Sequence, residues 1–207
     1  MDEERERKQM VNRLRDRGFI ERDSTIRALQ TVPRHEFVPA DKRGQAYHDQ
    51  PLPIGEGQTI SAPHMVGTML DKLELQHGDK VLEIGTGCGY HAAVTAEVVG
   101  PGNLYSVEYL PELADRAQRT LDRLGYEIAI RTGDGHQGWP EHAPFNAAYL
   151  TCAATQPPEL VLDQLREGGY FLAPIGRQRQ ELVRLTVRSD GIKRETFGGV
   201  RFVRMQG

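Results

Sequence analysis

Cysteine is scarce in this sequence, whose 207 residues include only Cys88 and Cys152. Two cysteines give no disulfide framework. The seven histidines form no His-Glu-x-x-His motif and no Cys/His cluster, so we expect no metal site. A Gly-x-x-x-x-Gly-Lys-Ser/Thr phosphate loop and a Gly-x-Ser-x-Gly nucleophile elbow are also missing, which argues against both of those chemistries.

Long apolar runs are absent as well. No stretch approaches the roughly 18 residues of a membrane span, and the first ten residues, MDEERERKQM, lack the apolar core of a signal peptide. We therefore expect a soluble, cytoplasmic protein without a membrane partner. The formal net charge of -3 argues against a broad basic face for nucleic acid. The length suits one domain, or one domain with an extension.

The most informative stretch is 80–91, with the sequence KVLEIGTGCGYH. The apolar run at 81–84 predicts a buried parallel strand. Gly85, Gly87 and Gly89 follow at alternate positions, and glycine lets a ligand approach the backbone closely. The residues after them have the pattern of a helix start. A strand, a glycine turn and a helix N-terminus together predict a site for a polar or anionic ligand group.

The glycine spacing leaves the ligand open. It differs from the dinucleotide fingerprint, but a frame from Gly87 to Ala92 fits the looser version. Glu108, at the end of the next predicted strand, is placed to accept hydrogen bonds from two ribose hydroxyls. The alternatives are a tight turn without a ligand and a solvated glutamate. Asp134, between two glycines, is either a turn residue or a neighbour of an adenine amino group.

Strands and helices alternate in the C-terminal two thirds of the chain. Apolar runs predict strands at 81–84, 104–107, 126–130, 145–151 and 170–174. Helices are predicted at 90–99, from Pro111 to Leu124, and from Pro157-Pro158 to the stop at Gly168-Gly169. Runs at 182–187 and 200–203 indicate antiparallel strands. This order predicts an α/β fold with a doubly wound, mostly parallel, seven-stranded sheet and an antiparallel edge.

The first 78 residues differ and are predicted as a helical extension with a covering segment, joined to a 79–207 domain in one compact unit. Amphipathic spacing predicts a helix within 2–17 and a second helix that ends at Pro33. Residues 33–63 are rich in proline and glycine, yet too apolar for a solvated linker. We predict that they form an ordered segment over the domain.

A further helix is predicted to begin at Pro63, and Ser61 is a good candidate for its N-cap. The alternative is that Ser61 and the unpaired N–H groups of the first helical turn hold a carboxylate. Cys88 has no identifiable partner base, so we interpret it as a small loop residue. His91 and His136 flank the presumed ligand loops and are expected at the surface.

Six segments within 32–203 resemble the protein-L-isoaspartate (D-aspartate) O-methyltransferases, which belong to the Rossmann-like methyltransferases dependent on S-adenosyl-L-methionine. The segments are VPRHEFVP, AYHDQPLPIGEGQTISAPHMV, VLEIGTGCGYHAAV, GDGHQGWPEHAPFNA, LDQLREGGYFLAPIG and VRFV. The second and fourth are specific to this family. The resemblance implies methyl transfer to the free α-carboxylate of L-isoaspartyl residues in damaged proteins and peptides, with S-adenosyl-L-homocysteine as product. The ester would cyclise to a succinimide that reopens partly to aspartate, which is protein repair.

The resemblance also implies roles for individual residues. Ser61 matches the family's active-site serine, and Ile60 and Ser61 are implied to bind the substrate. Glu108 is implied to hold the ribose, with Asp134 and Gly135 near the adenine. The residues implied to bind the cofactor are Ala62, His64, Met65, Glu83, Gly85, Gly87, Cys88, Glu108, Tyr109, Asp134 and Gly135. A monomer is expected.

Four positions depart from the usual family pattern. They are Cys88 in place of Ser, His91 in place of Gln, Asn146 in place of Asp, and Arg204 in place of Pro. These departures keep open a related methyltransferase that acts on another carboxylate or on a small molecule. A nicotinamide-dependent oxidoreductase and a catalytically inactive nucleoside-binding module are the remaining alternatives.

Overall fold

Two helices open the chain in the computed structural model, which describes residues 2–207. Helix α1 spans Glu3–Asp16 and α2 spans Asp23–Thr31, as the amphipathic patterns predict. Helix α2 ends before Pro33, because a residue that precedes proline disfavours the helical conformation. No helix in the described residues is long and apolar enough to cross a membrane.

The segment 33–63 is ordered and packs on the domain, as predicted, but it contains regular elements that its sequence did not indicate. These are two short 3-10 helices, Arg34–Phe37 and Ala40–Gln45, and a hairpin of β1 (Leu52–Gly55) and β2 (Gln58–Ile60). The hairpin turn at Glu56 and Gly57 has positive φ angles of 52° and 69°. A two-residue turn with positive φ at both positions matches the twist of the two antiparallel strands that it joins.

Seven strands follow. The strands are β3 (Val81–Ile84), β4 (Leu104–Glu108), β5 (Ala129–Thr132), β6 (Phe145–Leu150), β7 (Leu165–Ile175), β8 (Gln180–Arg188) and β9 (Gly191–Val200). The helices are α3 (Pro63–Leu73), α4 (Tyr90–Val99), α5 (Pro111–Arg123) and α6 (Glu159–Leu162). An α-helix separates β3 from β4, β4 from β5 and β6 from β7, whereas two short 3-10 helices, Gly135–Gln137 and Pro140–His142, lie between β5 and β6. The sheet order is β5-β4-β3-β6-β7-β8-β9, with β3 to β7 parallel and β8 and β9 antiparallel. The predicted fold class is confirmed.

The extension and the sheet share an apolar core. Met10 of α1, Val81 of β3 and Val94 of α4 belong to one buried cluster. Leu82 belongs to a second cluster, because successive side chains of a strand point to opposite faces of the sheet. Both faces of the sheet are therefore covered. The predicted division after residue 78 stays a prediction.

Two predicted elements between residues 126 and 168 have wrong bounds. The strand predicted at 126–130 lies further along the chain, as β5. The helix predicted after the proline pair is the single turn α6, because Leu165 already pairs with Phe145 across β7 and β6. Strand pairing thus overrides the helical spacing of the leucines.

The apolar run at 200–203 is not the final strand. That strand is β9, and only Val200 belongs to both. Most side chains of β9 are exposed because it lies at the sheet edge. Its sequence therefore carries little apolar alternation, and backbone pairing with β8 defines it.

Candidate cofactor and substrate site

The carboxyl ends of β3, β4 and β6 meet where the strand order reverses, since β3 pairs with β4 on one side and with β6 on the other. Such a switch point opens a crevice in a doubly wound sheet. A cavity lies there, which we call the switch-point cavity. Its walls include five residues predicted for the site, Gly85, Gly87, Glu108, Tyr109 and Gly135.

The glycine loop after β3 needs glycine for two reasons. Gly85, Gly87 and Gly89 have φ angles of 95°, 56° and 88°, which side-chain-bearing residues rarely adopt. At Gly85 the Thr151 hydroxyl also occupies the space that a Cβ would take. Gly89 is the N-cap residue of α4. The loop therefore presents backbone to the cavity, as its sequence predicts.

Glu108 is 6% exposed, and both of its carboxylate oxygens are held by backbone. Oε2 accepts a hydrogen bond from the Gly87 N–H at 2.8 Å, and Oε1 accepts one from the Leu110 N–H at 3.0 Å. Each oxygen retains a further lone pair for a ligand hydroxyl. This geometry supports the predicted ribose role, and it ties the glycine loop to the end of β4.

Asp134 is the turn residue that one interpretation of its sequence predicted. Its Oδ1 accepts from the His136 N–H and contacts the His136 ring Nδ1, both at 2.9 Å. Burial raises the Asp134 pKa, but these hydrogen bonds outweigh burial and leave the pKa below its ordinary value. His136 is partly exposed. Gly135 lines the switch-point cavity, and a Cβ there would collide with Ile84. Contact of Asp134 with an adenine stays a prediction.

Glu83 lies beneath the glycine loop. Its side chain is fully buried, with Ser106 Oγ at 2.5 Å and the Tyr149 hydroxyl at 2.8 Å. Ser106 in turn contacts the Thr86 hydroxyl of the loop at 2.6 Å. Burial raises the pKa of Glu83 to about 8, so its carboxyl group is largely protonated at neutral pH. The resemblance implied that Glu83 contacts the cofactor. In the structure Glu83 instead supports the glycine loop from below.

His91 is buried, so its predicted surface position is wrong. Helix α4 contacts both β4 and α2, which leaves His91 only 7% exposed, with its ring 4.7 Å from the Tyr149 ring. Burial lowers the His91 pKa to about 3. Its Nε2 has no hydrogen-bond partner in residues 2–207. The imidazole is therefore neutral at physiological pH.

Replacement of His91 by glutamine should make the protein more tolerant of acid. The unfolded chain binds a proton at His91 below pH 6.5, whereas the folded chain does so only near pH 3. Stability is therefore lost as the pH falls between these values. At pH 5 the loss amounts to about 2 kcal/mol. His91→Gln removes it, so the stability difference between variant and wild type should shift by that amount between pH 7.5 and pH 5.

Urea unfolding at the two pH values measures this effect, with exposed His48→Gln as the matched control. An equal stability difference at pH 7.5 and pH 5 would contradict a buried neutral imidazole.

Ser61 is not the cap of α3. The helix begins at Pro63, and its N-cap residue is Ala62, which forms no side-chain bond. The carboxylate at the helix start belongs to Asp49, whose Oδ1 accepts from the His64 N–H at 2.9 Å and contacts its ring Nδ1 at 2.8 Å. Sequence analysis missed Asp49 because no local motif connects it to the helix.

The free N–H donors predicted at the start of α3 are already used. Pro63 has no N–H, and the His64 N–H bonds to Asp49. The Met65 N–H donates to the Ala62 carbonyl at 3.0 Å. The first turn of α3 therefore offers no free N–H group to a carboxylate.

Ser61 lies where two further spaces adjoin the switch-point cavity. The first, which we call the open cleft, has a volume of about 1070 Å³ and is lined at one end by Ser61, Ala62, His64 and Met65. The second, the connecting pocket, is lined by Ile60, Ser61, Gly85, Gly87 and Cys88. Thr59 and Thr151, which the sequence did not single out, line all three spaces. Every residue predicted for the cofactor or the substrate, except Glu83 and Asp134, thus lines one of these three spaces.

The cysteines are not poised as nucleophiles. Burial raises the pKa of the Cys88 thiol to about 11 and that of Cys152 to about 12. Both thiols are therefore protonated at neutral pH, which supports the interpretation of Cys88 as a small loop residue. Within residues 2–207 no three His, Cys, Asp or Glu side chains are grouped so that they could hold a metal ion.

Asn146 has a structural position. Its Oδ1 accepts from the Lys80 N–H at 3.0 Å, and its Nδ2 donates to Asp79 Oδ1 at 2.8 Å. An aspartate would set two carboxylates against each other here. The amide ties the start of β3 to β6, at the end of the strands remote from the switch-point cavity.

The strand order and the switch-point cavity define a Rossmann-like α/β fold with a ligand crevice at the ends of its central strands. A solved S-adenosylmethionine-dependent O-methyltransferase from Thermotoga maritima, 17% identical, shares the fold with a TM-score of 0.51 over 71% of this chain and 63% of that one. The model of the protein-L-isoaspartate(D-aspartate) O-methyltransferase family matches residues 5–207. The chain belongs to this family. Membership of this methyltransferase family excludes the nicotinamide-dependent oxidoreductase, which the glycine spacing alone had left open.

Relatives with the same family name are similar in sequence to this chain over nearly their whole length. A protein-L-isoaspartate O-methyltransferase of Methanothermobacter thermautotrophicus is 49% identical over 207 residues, covering 98% of this chain and 95% of the relative. Protein-L-isoaspartate O-methyltransferase 2 of Archaeoglobus fulgidus is 46% identical over 210 residues, covering 100% and 95%.

Two solved structures are similar over 97% of this chain. A protein-L-isoaspartate O-methyltransferase, 30% identical, gives a TM-score of 0.90, with 66% of that chain covered. A putative protein-L-isoaspartate O-methyltransferase from Plasmodium falciparum, in complex with S-adenosyl-L-homocysteine, is 25% identical, with a TM-score of 0.85 and 98% of that chain covered.

Proposed function

We propose that this enzyme transfers the methyl group of S-adenosylmethionine to the α-carboxylate of L-isoaspartyl residues in damaged proteins and peptides. One observation carries the proposal. Ser61 lies between the open cleft, which has room for a peptide segment, and the connecting pocket that leads to the glycine loop. A donor at the loop and an acceptor in the cleft would therefore meet beside Ser61.

The walls of the switch-point cavity fit the cofactor. Glu108 offers acceptor capacity for two hydroxyls, and Gly85, Gly87 and Gly135 contribute backbone to the cavity wall. Tyr109 is 47% exposed at the cavity wall and adds an aromatic surface. When bound, S-adenosylmethionine supplies a methyl group on a positively charged sulfur.

The protein has to align the reacting groups rather than move a proton. A free α-carboxylate, with a pKa of about 3.3–3.7, is already ionised at neutral pH. No general base is required, and the remaining tasks are alignment and removal of water. In the proposal, the Ser61 hydroxyl donates a hydrogen bond to the substrate carboxylate, and the β1–β2 hairpin covers the junction. The backbone amide nitrogen that follows the isoaspartyl residue then attacks the ester carbonyl and releases methanol, and hydrolysis of the resulting succinimide gives aspartate in part. In the proposal the enzyme acts in the cytoplasm as a monomer.

Two peptides that differ only in an isoaspartyl or a normal aspartyl residue test the proposal. We expect labelled S-adenosylmethionine to methylate the isoaspartyl peptide alone. Equal labelling of both peptides, or of neither, would reject the proposed substrate and favour a methyltransferase with another acceptor. Binding of S-adenosylhomocysteine without turnover of either peptide would favour the inactive module.

Ser61→Ala should reduce turnover more than cofactor affinity. The lost hydrogen bond to a charged group is expected to lower kcat/KM for the isoaspartyl peptide by about 10- to 100-fold. The dissociation constant of S-adenosylhomocysteine should stay within about twofold, since Ser61 does not line the switch-point cavity. Steady-state kinetics and calorimetry measure the two effects, with Ser189→Ala in the β8–β9 turn as control. Unchanged turnover would leave Ser61 without a catalytic role.

A further inference from the structure

The open cleft is strongly basic. Four arginines line it, Arg177, Arg179, Arg201 and Arg204, together with a single carboxylate, Glu181. All four arginine side chains are exposed. Within residues 2–207 no carboxylate oxygen lies within 4.0 Å of their guanidinium groups. Their charges are therefore left to face the cleft and the solvent.

Two segments carry these arginines and are fastened to each other. The connection between β7 and β8 supplies one pair, and the stretch after β9 supplies the other. The Gln180 side chain donates to the Phe202 carbonyl at 3.1 Å and accepts from the Phe202 N–H at 2.6 Å. Arg204 Nη2 donates to the Arg177 carbonyl at 3.4 Å. The basic wall thus has a defined position beside the junction at Ser61.

The charge of the cleft is opposite to that of the chain. Four guanidinium groups face one carboxylate in the cleft, whereas the whole chain has a formal net charge of -3. A concave surface of one sign concentrates ligands of the other sign. The volume of about 1070 Å³ also exceeds the needs of one carboxylate, so neighbouring residues of a bound segment would lie in the cleft.

We propose that the cleft selects isoaspartyl segments whose neighbouring residues are aspartate or glutamate. This inference rests on the proposed function, since it concerns the substrate of the same site. Arg204 lines the switch-point cavity as well as the cleft, and it stands where the family usually has proline. One of the four charges of the cleft is therefore a departure of this chain from the family pattern.

Three isoaspartyl peptides of equal length test the proposal, with glutamate, glutamine or lysine at the two positions on each side of the isoaspartyl residue. At low salt we expect kcat/KM to fall from glutamate to glutamine to lysine, by about tenfold overall. In 0.5 M NaCl the range should shrink to about twofold, because salt screens exposed charges.

A variant with Arg177→Gln, Arg179→Gln and Arg204→Gln should bring the glutamate-to-lysine ratio close to one at low salt. The control variant removes the same charge from exposed positions outside the cleft, at Arg166, Arg188 and Arg194. It should keep the ratio of the wild type.

The outcomes separate this inference from the proposed function. Methylation of all three peptides at equal kcat/KM, or an equal loss of selectivity in both variants, would overturn the inference alone. Failure to methylate any peptide, including the neutral one, would overturn the proposed function with it.

Discussion

Replacement of Glu108 by alanine is expected to weaken binding of S-adenosylhomocysteine by about 100-fold or more. Two ligand hydroxyls would lose a charged acceptor, and each such hydrogen bond is worth about 1.5–3 kcal/mol. The change also leaves the Gly87 and Leu110 N–H groups without an acceptor, since in the wild type they donate to the carboxylate at 2.8 and 3.0 Å. The affinity for S-adenosylhomocysteine and the conformation of the glycine loop should therefore be lost together.

Glutamine should not rescue this position, although it has the same shape. Both carboxylate oxygens accept from backbone N–H groups, so either orientation of an amide sets its NH₂ against one of these donors. We expect Glu108→Gln to lose at least about tenfold in affinity. Calorimetry with S-adenosylhomocysteine measures both variants, and Glu112→Ala, an exposed carboxylate on α5, is the control. A dissociation constant close to that of the wild type in Glu108→Ala would remove Glu108 from the cofactor site.

Gly85→Ala should abolish detectable cofactor binding and lower the free energy of unfolding by about 3 kcal/mol or more. Two costs add up. A φ angle of 95° is strained for alanine, at about 1–2 kcal/mol. The new methyl group would also collide with the Thr151 hydroxyl, which overpacks the junction of the three spaces.

A matched glycine separates the two costs. Gly78 has a φ angle of 88°, but a Cβ there would meet no atom within 4 Å. Gly78→Ala should therefore show only the backbone cost, about 1–2 kcal/mol, and keep cofactor binding. Adding Thr151→Ala to Gly85→Ala should recover part of the lost stability, as a double-mutant cycle would reveal. Equal losses in the two glycine variants would mean that the collision relaxes without cost.

The two expected effects concern residues that the sequence identified, because their signals are local. The run at 81–84 is buried in a parallel strand, and three of its four residues are apolar. The glycines and Glu108 follow directly at strand ends, where chain order alone brings them to one edge of the sheet. The family resemblance then supplied Ser61, which residue chemistry alone had interpreted as a cap.

Other features depended on contacts between distant parts of the chain. The edge strands β5 and β9 were misplaced because exposed strands carry little apolar alternation, and pairing with a neighbour defines them. His91 is buried with its ring against Tyr149 of β6, and no pattern within α4 encodes that contact. The hairpin at 52–60 was missed because its strands are short and include Pro53.

The sequence by itself determined the order of strands β3 to β8, the glycine loop and the carboxylate that follows it, because each depends on neighbours in the chain. The tertiary structure decided that Asp49 uses the N–H group at the start of α3, that Glu83 supports the loop from below, and that four arginines share one cleft. Hydrogen bonds and charges of this kind join residues that are close only after folding, so no local pattern records them.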